Sequence, residues 1–436
     1  MSRFPKVTET FILYEILALE QVGLETEVYP LLRHREAVTQ PEAAPVVARA
    51  HYQPFVSLPI LRANWHFLRA RPSVYIRMVL EVLRGTFGSA NFFVGAIGTL
   101  PKAVRFAYEM ERCGVTHVHA HFATHPTVAA LIIHRLTGIP YSFTAHGSDL
   151  HVDRRMLDRK LAAAAFAVTC SKFNKQVMVD ACGEADRDTI RDKIRVVHYG
   201  ADLDLFRPED TPRRETGSAC EIVCVASFEE VKGHKYLVEA CGHLARRGVD
   251  YRCHLIGDGP ERQDVEARVA DAGLTNRFVF HGVLKRAEVA RHLRSSDVKV
   301  LASFPTRSGK REGMPNVLIE AMAAGLPVVS TRLTGIPELV DSGRTGILVP
   351  PADAVALADA LEELGRDAEL RRRMGAAGRE KALRSFDRRA NATTLAKLFG
   401  LNGDGQDTQR SSRSEMRGGT TGKGRRVSTA SSKGAR

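Results

Sequence analysis

No CxxC pair occurs anywhere in the 436 residues, and the cysteines number seven, an odd count. A zinc ribbon and a disulfide scaffold are both excluded by that pattern, and several of the cysteines sit in apolar, strand-like runs. Free buried thiols in a reducing compartment are expected. The opening residues MSRFPKVTETF hold no apolar core of the kind a secretory leader needs, so a cytoplasmic setting is expected. A long hydrophobic run is missing too. Gly85 to Pro101 is uncharged, but six of its 17 residues are Gly, Ser or Asn. A spanning helix needs about 20 predominantly apolar residues, so this segment reads as a buried helix with a glycine-rich turn.

Charge of one sign is plentiful but not concentrated. The formal net charge is +13, of which +5 falls between Leu401 and Arg436 and +8 is spread over the remainder. A nucleic-acid domain would gather its cations on one element, so nucleic acid is not expected as a partner. Residues 401–436 are Gly-, Ser-, Thr- and Arg-rich with almost no apolar side chains. They cannot bury enough surface to offset the entropy of ordering, and a disordered basic tail is expected.

What remains is an alternating chain. Apolar spacing predicts a helix over Glu9 to Val22, strands at Glu25 to Leu31, Val115 to His121 and Pro140 to Ala145, and a helix over Thr127 to Leu136. Ser171 is a candidate cap for a helix starting at Lys172. The second half repeats the rhythm, with strands at Glu221 to Ala226, Tyr251 to Ile256, Phe278 to His281, Val298 to Ala302, Pro327 to Ser330 and Gly346 to Val349. Helical patterns fall between them, which implies parallel, doubly wound α/β sheets that bind ligands beyond the carboxyl ends of their strands. Two domains are expected, 1–200 and 201–400, divided near the Pro- and charge-rich Tyr199 to Thr216, with the last helix able to cross back to the first domain.

The segment richest in chemistry is REGMPNVLIEAMAAGLPVVS, Arg311 to Ser330. Pro315 suits a first helical turn, and Gly325 with Pro327 ends the helix. The free N–H groups at Asn316 and Val317 therefore open at the end of the Val298 strand, where they suit a diphosphate. Glu312 precedes the helix and Glu320 lies a turn inside it. Two carboxylates at that separation can grip hydroxyls at different points of one elongated ligand.

These residues resemble the E-x7-E segment of family 4 glycosyltransferases, retaining enzymes of GT-B architecture. The resemblance runs to about residue 395. SRFPKVTETFILYEI at the start and HAHFA at His119 to Ala123 are similar to the branch that builds exopolysaccharides of the colanic-acid type. The resemblance implies two Rossmann-like domains facing a cleft, the first on the acceptor side and the second binding a nucleotide sugar. It implies that Glu312 contacts the transferred sugar, that Glu320 contacts the ribose, and that Gly313, Met314, Pro315, Asn316 and Val317 lie nearest the sugar and phosphates. Lys232 corresponds to a lysine that binds the donor diphosphate, and His146 to the histidine of an H-G-x-D motif that approaches the sugar from the other domain. Gly257 and Gly259 would border the base and ribose, as would Phe280 to Leu284. Gly335 to Glu338 resembles a second helix start beside the phosphates. Ser227 departs from the pattern, standing where the family commonly has arginine; Arg307, Lys310 or Arg311 could supply the missing cation.

The expected function is transfer of a hexose from a UDP- or GDP-sugar to a saccharide or lipid-linked acceptor in exopolysaccharide biosynthesis. The alternatives are a catalytically weak scaffold and a sugar-nucleotide epimerase of the same fold. No cofactor beyond the nucleotide-sugar co-substrate and no metal are expected. His117, His119, His121 and His125 mimic a metal cluster but lack an evident fourth ligand, and Asp202-Leu203-Asp204 reads as a turn. Leu61 to Arg84 carries five Arg and one Glu with Trp65, Phe67 and Ile76, a basic amphipathic stretch that either forms a solvated hairpin or lies on the inner face of the cytoplasmic membrane. Finally, the family's opening strand is expected to be absent, with poor folding as the expected consequence.

Overall fold

The computed structural model describes residues 1–6, 9–34, 40–208 and 219–400; the expected basic tail and residues 209–216 of the expected domain divide lie outside them. Among the described residues twelve strands fall into three parallel groups. In the second half, Cys220–Val225 (β7), Tyr251–Ile256 (β8), Phe278–Gly282 (β9), Val298–Leu301 (β10), Val328–Thr331 (β11) and Gly346–Val349 (β12) form one sheet in the order β12-β11-β10-β7-β8-β9. The central strands β10 and β11 are buried throughout, as expected of strands covered on both faces, whereas β8 and β9 toward one edge are only partly buried. The order reverses between β7 and β10, so the loops leaving these neighbours diverge and open a crevice at their carboxyl ends.

In the first half, Val118–His121 (β3), Tyr141–Ala145 (β4), Phe166–Thr169 (β5) and Ile194–Val196 (β6) form a four-stranded sheet in sequence order. Arg3–Phe4 (β1) and Leu32–Arg33 (β2) stand apart as a two-stranded pair. Among the described residues no strand joins this pair to the sheet. A strand over Glu25 to Leu31 does not form. Among the described residues the ladder with Arg3–Phe4 covers only Leu32 and Arg33; the preceding residues make isolated backbone bonds instead, Leu31 N–H to the Met1 carbonyl at 3.1 Å and His51 N–H to the Val28 carbonyl at 2.8 Å. The helix Thr10–Gln21 buries Ile12, Leu13 and Ile16, which cluster with Phe4 and Val28.

Gly85 to Pro101 also differs from the expectation of a buried helix. The turn at Phe87 to Ser89 is followed by a helix, Ala90–Cys113, that runs on through Pro101. Phe92, Ala96 and Leu100 are buried, but Val94 and Ile97 on the opposite face are exposed. Ser171 caps its helix, accepting from the Asn174 N–H at 3.1 Å.

The chain returns to its first half at the end. Ala201 N–H donates to the Phe386 carbonyl at 2.9 Å, and Asn391 donates to the His198 carbonyl at 2.8 Å. The helix Arg388–Leu398 then buries Leu395 and Ala396 against Leu19 and Val168.

Candidate functional site

Between the two sheets lies a cleft of roughly 500 Å³, within the range of small-molecule sites. One wall comes from the crevice where β7 and β10 part. Lys232 follows β7 and Glu312 follows β10, 80 residues later, yet the Lys232 ammonium donates to a Glu312 carboxylate oxygen. Ser303 Oγ lies 3.5 Å from the same oxygen. Gly233, in the left-handed region at φ 69°, turns the chain after Lys232. An added Cβ there would lie 2.0 Å from the Ala302 carbonyl oxygen, so the turn can sit this close to β10 only as glycine.

The helix after Glu312 is Asn316–Ala323, with Pro315 as its N-cap residue rather than in its first turn. Pro315 has an extended ψ of 115°, so its ring precedes the helix and leaves the N–H groups of Asn316 and Val317 free to face the cleft. Gly313 to Val317 all line that cleft, and Asn316 Oδ1 is buried without a hydrogen-bond partner. Glu320, one turn in, accepts from Arg286 at 3.2 Å, and both side chains are about one-eighth exposed. Burial raises the Glu320 carboxyl pKa, and the Arg286 guanidinium opposes the rise. The same guanidinium stacks over the Tyr14 ring at 4.3 Å and the Phe206 ring at 5.0 Å.

The opposite wall carries His146. Its ring is stacked with His121 and Tyr199 and bonded through Nδ1 to the Tyr199 hydroxyl. Burial pushes its pKa down to about 3, so the imidazole is neutral at ordinary pH. Asp149 fixes this loop by accepting from the N–H groups of Ala123, His146 and Gly147 at 2.7 to 3.0 Å. The two walls meet at Gly313, where an added Cβ would lie 2.4 Å from the His146 carbonyl oxygen.

The other residues singled out in the sequence divide. Ser227 and Gly257 line the cleft, as do Val283 and Leu284; Gly259 instead lies against the Phe228 backbone. Of the three candidates for the missing cation, Arg311 and Lys310 line the cleft and Arg307 does not; Lys310 is paired with Glu229. The Gly335 to Glu338 segment does not line the cleft but packs behind it, an added Cβ on Gly335 lying 3.2 Å from the Gly313 carbonyl oxygen. Glu338 accepts from the N–H groups of Lys172 and Phe173 at 2.9 and 3.0 Å, so it caps a helix of the other half. His117 and His119 are held by the hydroxyls of Ser142 and Thr144. Asp202 joins Arg388 at 2.9 Å.

Two cleft residues went unremarked in the sequence. Arg286 begins an ordinary helix, and nothing near it in sequence announces Glu320. Glu15 lies on an apolar helix; its carboxyl is 3.4 Å from His121 Nε2, and burial raises its pKa to about 8. A lone acid within an apolar periodic run was the available signal.

Comparison with known proteins agrees with this geometry. The model of the family "Glycosyl transferases group 1" matches residues 219–367, the sheet carrying Lys232, Glu312 and Glu320. A putative colanic acid biosynthesis glycosyltransferase of Salmonella typhimurium is 36% identical over 209 residues, 48% of this chain and 51% of that one. The chain thus spans about half the length of the first curated relatives it matches. A 2-deoxystreptamine glucosyltransferase of Streptomyces kanamyceticus is 31% identical over 277 residues, 58% of this chain and 68% of that one. Among solved structures, a glycosyltransferase of Rickettsia africae superposes with a TM-score of 0.66 at 16% identity, covering 91% of this chain and 96% of that one. An Anabaena protein solved with UDP and glucose gives 0.65 at 16%, covering 91% and 97%. Both share the two-sheet GT-B fold, and with a glucosyltransferase matched over two thirds of its length this chain belongs to the group 1 glycosyl transferases.

Proposed function

We propose that the chain transfers a hexose from a nucleotide sugar to an acceptor hydroxyl with retained anomeric configuration, as a step in exopolysaccharide biosynthesis. The observation that carries this reading is the meeting of Lys232 and Glu312 at the switch point, beside the open start of the Asn316 helix. A bound diphosphate takes over the Lys232 ammonium and the free N–H groups, and the released Glu312 carboxylate accepts from sugar hydroxyls. Glu320 turns to the ribose. The bond from the anomeric carbon to the phosphate oxygen breaks while the acceptor oxygen bonds to the same face. The acceptor proton passes to the departing diphosphate, whose charge Lys232 and the helix start stabilise. His146, neutral and held by Tyr199, approaches the sugar from the other wall. A relative named for glucose transfer and a fold neighbour solved with UDP and glucose make UDP-glucose the first donor to try.

A panel of UDP- and GDP-hexoses assayed for nucleoside diphosphate release, with product analysis, tests the reading. Lys232→Ala should lower kcat by about 10²–10³, and Glu312→Gln should lower it strongly. Wild-type turnover in Glu312→Gln would remove the assignment.

We further propose that the acceptor is lipid-linked and is met at an anionic membrane surface. No helix among the described residues is long and apolar enough to cross a membrane. The helices Leu58–Ala70 and Pro72–Thr86, however, expose Leu61, Trp65 and Ile76, each more than half open to solvent. Arg62, Arg69, Arg77 and Arg84 are exposed on the same two helices, a pairing of apolar and cationic side chains that suits anionic headgroups. Arg71 is engaged within the protein, by Glu111 and the Leu136 carbonyl. Flotation with vesicles containing phosphatidylglycerol should weaken in Arg62→Gln/Arg69→Gln/Arg77→Gln and in Trp65→Ser. Unchanged flotation in both would refute membrane contact.

A further inference from the structure

Three imidazoles gather on the second sheet; His281 falls within the Phe280 to Leu284 segment that the resemblance sets beside the base, but none of the three lines the cleft. His254 lies on β8, and His281 lies on β9 where the ladder jumps from Leu255–Phe280 to Ile256–Gly282. His292 comes from the last turn of the helix Arg286–Ser295. The His254 and His281 rings stack at 5.2 Å, and those of His281 and His292 lie 4.4 Å apart. One ring nitrogen from each of the three falls within 4.8 Å of the others. All three side chains are only partly buried, so the group is reachable from solvent.

The hydrogen bonding orients the group. Glu221 on β7 lies 2.7 Å from His254 Nε2. A carboxylate can only accept, so the proton is on Nε2 and the lone pair is on Nδ1. That Nδ1 accepts from His281 Nε2 at 2.9 Å, a bond that an ion between the two nitrogens would replace once the His281 proton moves to its Nδ1. Two imidazole nitrogens on one tetrahedral ion, each at 2.0–2.1 Å from it, stand about 3.3 Å apart. The cluster is therefore within a small side-chain adjustment of a three-nitrogen coordination sphere. A carboxylate bonded to the far nitrogen of a ligating histidine is the usual outer partner of such a site.

We propose that His254, His281 and His292 bind one divalent transition-metal ion of the zinc type, with Glu221 as its outer hydrogen-bond partner. The ion takes no part in the transfer step. It ties together elements whose other ends build the donor wall. Gly282, next to His281, accepts from the Gly257 N–H at 2.8 Å, and the helix of His292 begins at Arg286, the partner of Glu320. The Glu15, His119 and His121 group also meets the distance requirement, but both ring nitrogens of His119 are held by hydroxyls outside that group, Ser142 and Thr144, whereas His254 Nδ1 is bonded to a member of its own, His281.

The test uses the untagged full chain, stripped with a chelator and titrated with Co²⁺ and Zn²⁺. Visible d–d absorption of tetrahedral strength at one Co²⁺ per chain, displaced by Zn²⁺, is expected. His281→Ala and His292→Asn should each abolish it while melting like wild type in chelator, and Glu221→Gln should weaken binding about 10–100-fold. His119→Ala should leave it intact. No stoichiometric Co²⁺ uptake would overturn the proposal, as would uptake that survives both His281→Ala and His292→Asn or is lost in His119→Ala. UDP binding, measured separately, reports on the donor site, so failure of one reading does not imply failure of the other.

Discussion

Replacing Arg286 with methionine leaves Glu320 as a buried carboxylate without its cation. At 3.2 Å and an effective dielectric of about 20, the Coulomb attraction removed is about 5 kcal/mol. Losing one partner of a buried pair costs about 3–5 kcal/mol, because the other charge stays desolvated. Methionine retains apolar contact with Tyr14 and Phe206, so a loss of about 3 kcal/mol is expected at pH 8. The loss should depend on pH. Burial already raises the Glu320 pKa and Arg286 opposes that rise, so in the variant the folded-state pKa climbs further. Stability tied to a raised carboxyl pKa is complete below the unfolded value and is lost as pH rises through the folded one. The difference from wild type should therefore be clearly smaller at pH 5 than at pH 8, read by urea unfolding with far-UV circular dichroism. In Arg286→Met/Glu320→Gln the buried Glu320 charge is gone, and Asp202, 4.0 Å from Arg286, keeps Arg388 at 2.9 Å, so stability should return to within about 1 kcal/mol of wild type. A loss equal at both pH values, or a double variant whose losses simply add, would refute the reasoning.

Gly313→Ala should be costly for its size. Its Cβ would press on the His146 carbonyl oxygen at 2.4 Å, so the two walls must separate. A stability loss of about 1–3 kcal/mol with weaker donor binding is expected by thermal melting and calorimetry, and a variant that melts and binds like wild type would contradict it. Glu15 supplies a second pH signature. Its pKa is raised from 4.5 to about 8, so the stability it contributes is whole below pH 4.5 and disappears as pH rises through 8. About a fifth of its side chain remains open, which trims the effect to about 2 kcal/mol between pH 5 and 9. Glu15→Gln should flatten the fall over that range, and an unchanged slope would remove Glu15 as its source.

The sequence alone determined those features that depend on local spacing. Short apolar runs alternating with helical periods were enough for the doubly wound second half, and Tyr251–Ile256 and Gly346–Val349 formed over the expected residues. Gly313, Asn316 and Val317 were legible because a helix start following a strand exposes N–H groups wherever it occurs. Only the tertiary structure decided which side chains meet. Lys232 and Glu312 touch because β10 lies beside β7, an adjacency that no local pattern encodes. The same holds for Arg286 with Glu320, and for the three imidazoles drawn together from two strands and a helix. Glu338 shows the same: the resemblance set its helix start near the phosphates, and only packing revealed that its carboxylate accepts from the Lys172 and Phe173 N–H groups of the other half. Spacing along the chain sets which backbone groups are free, whereas the order of strands across a sheet sets which charges face them.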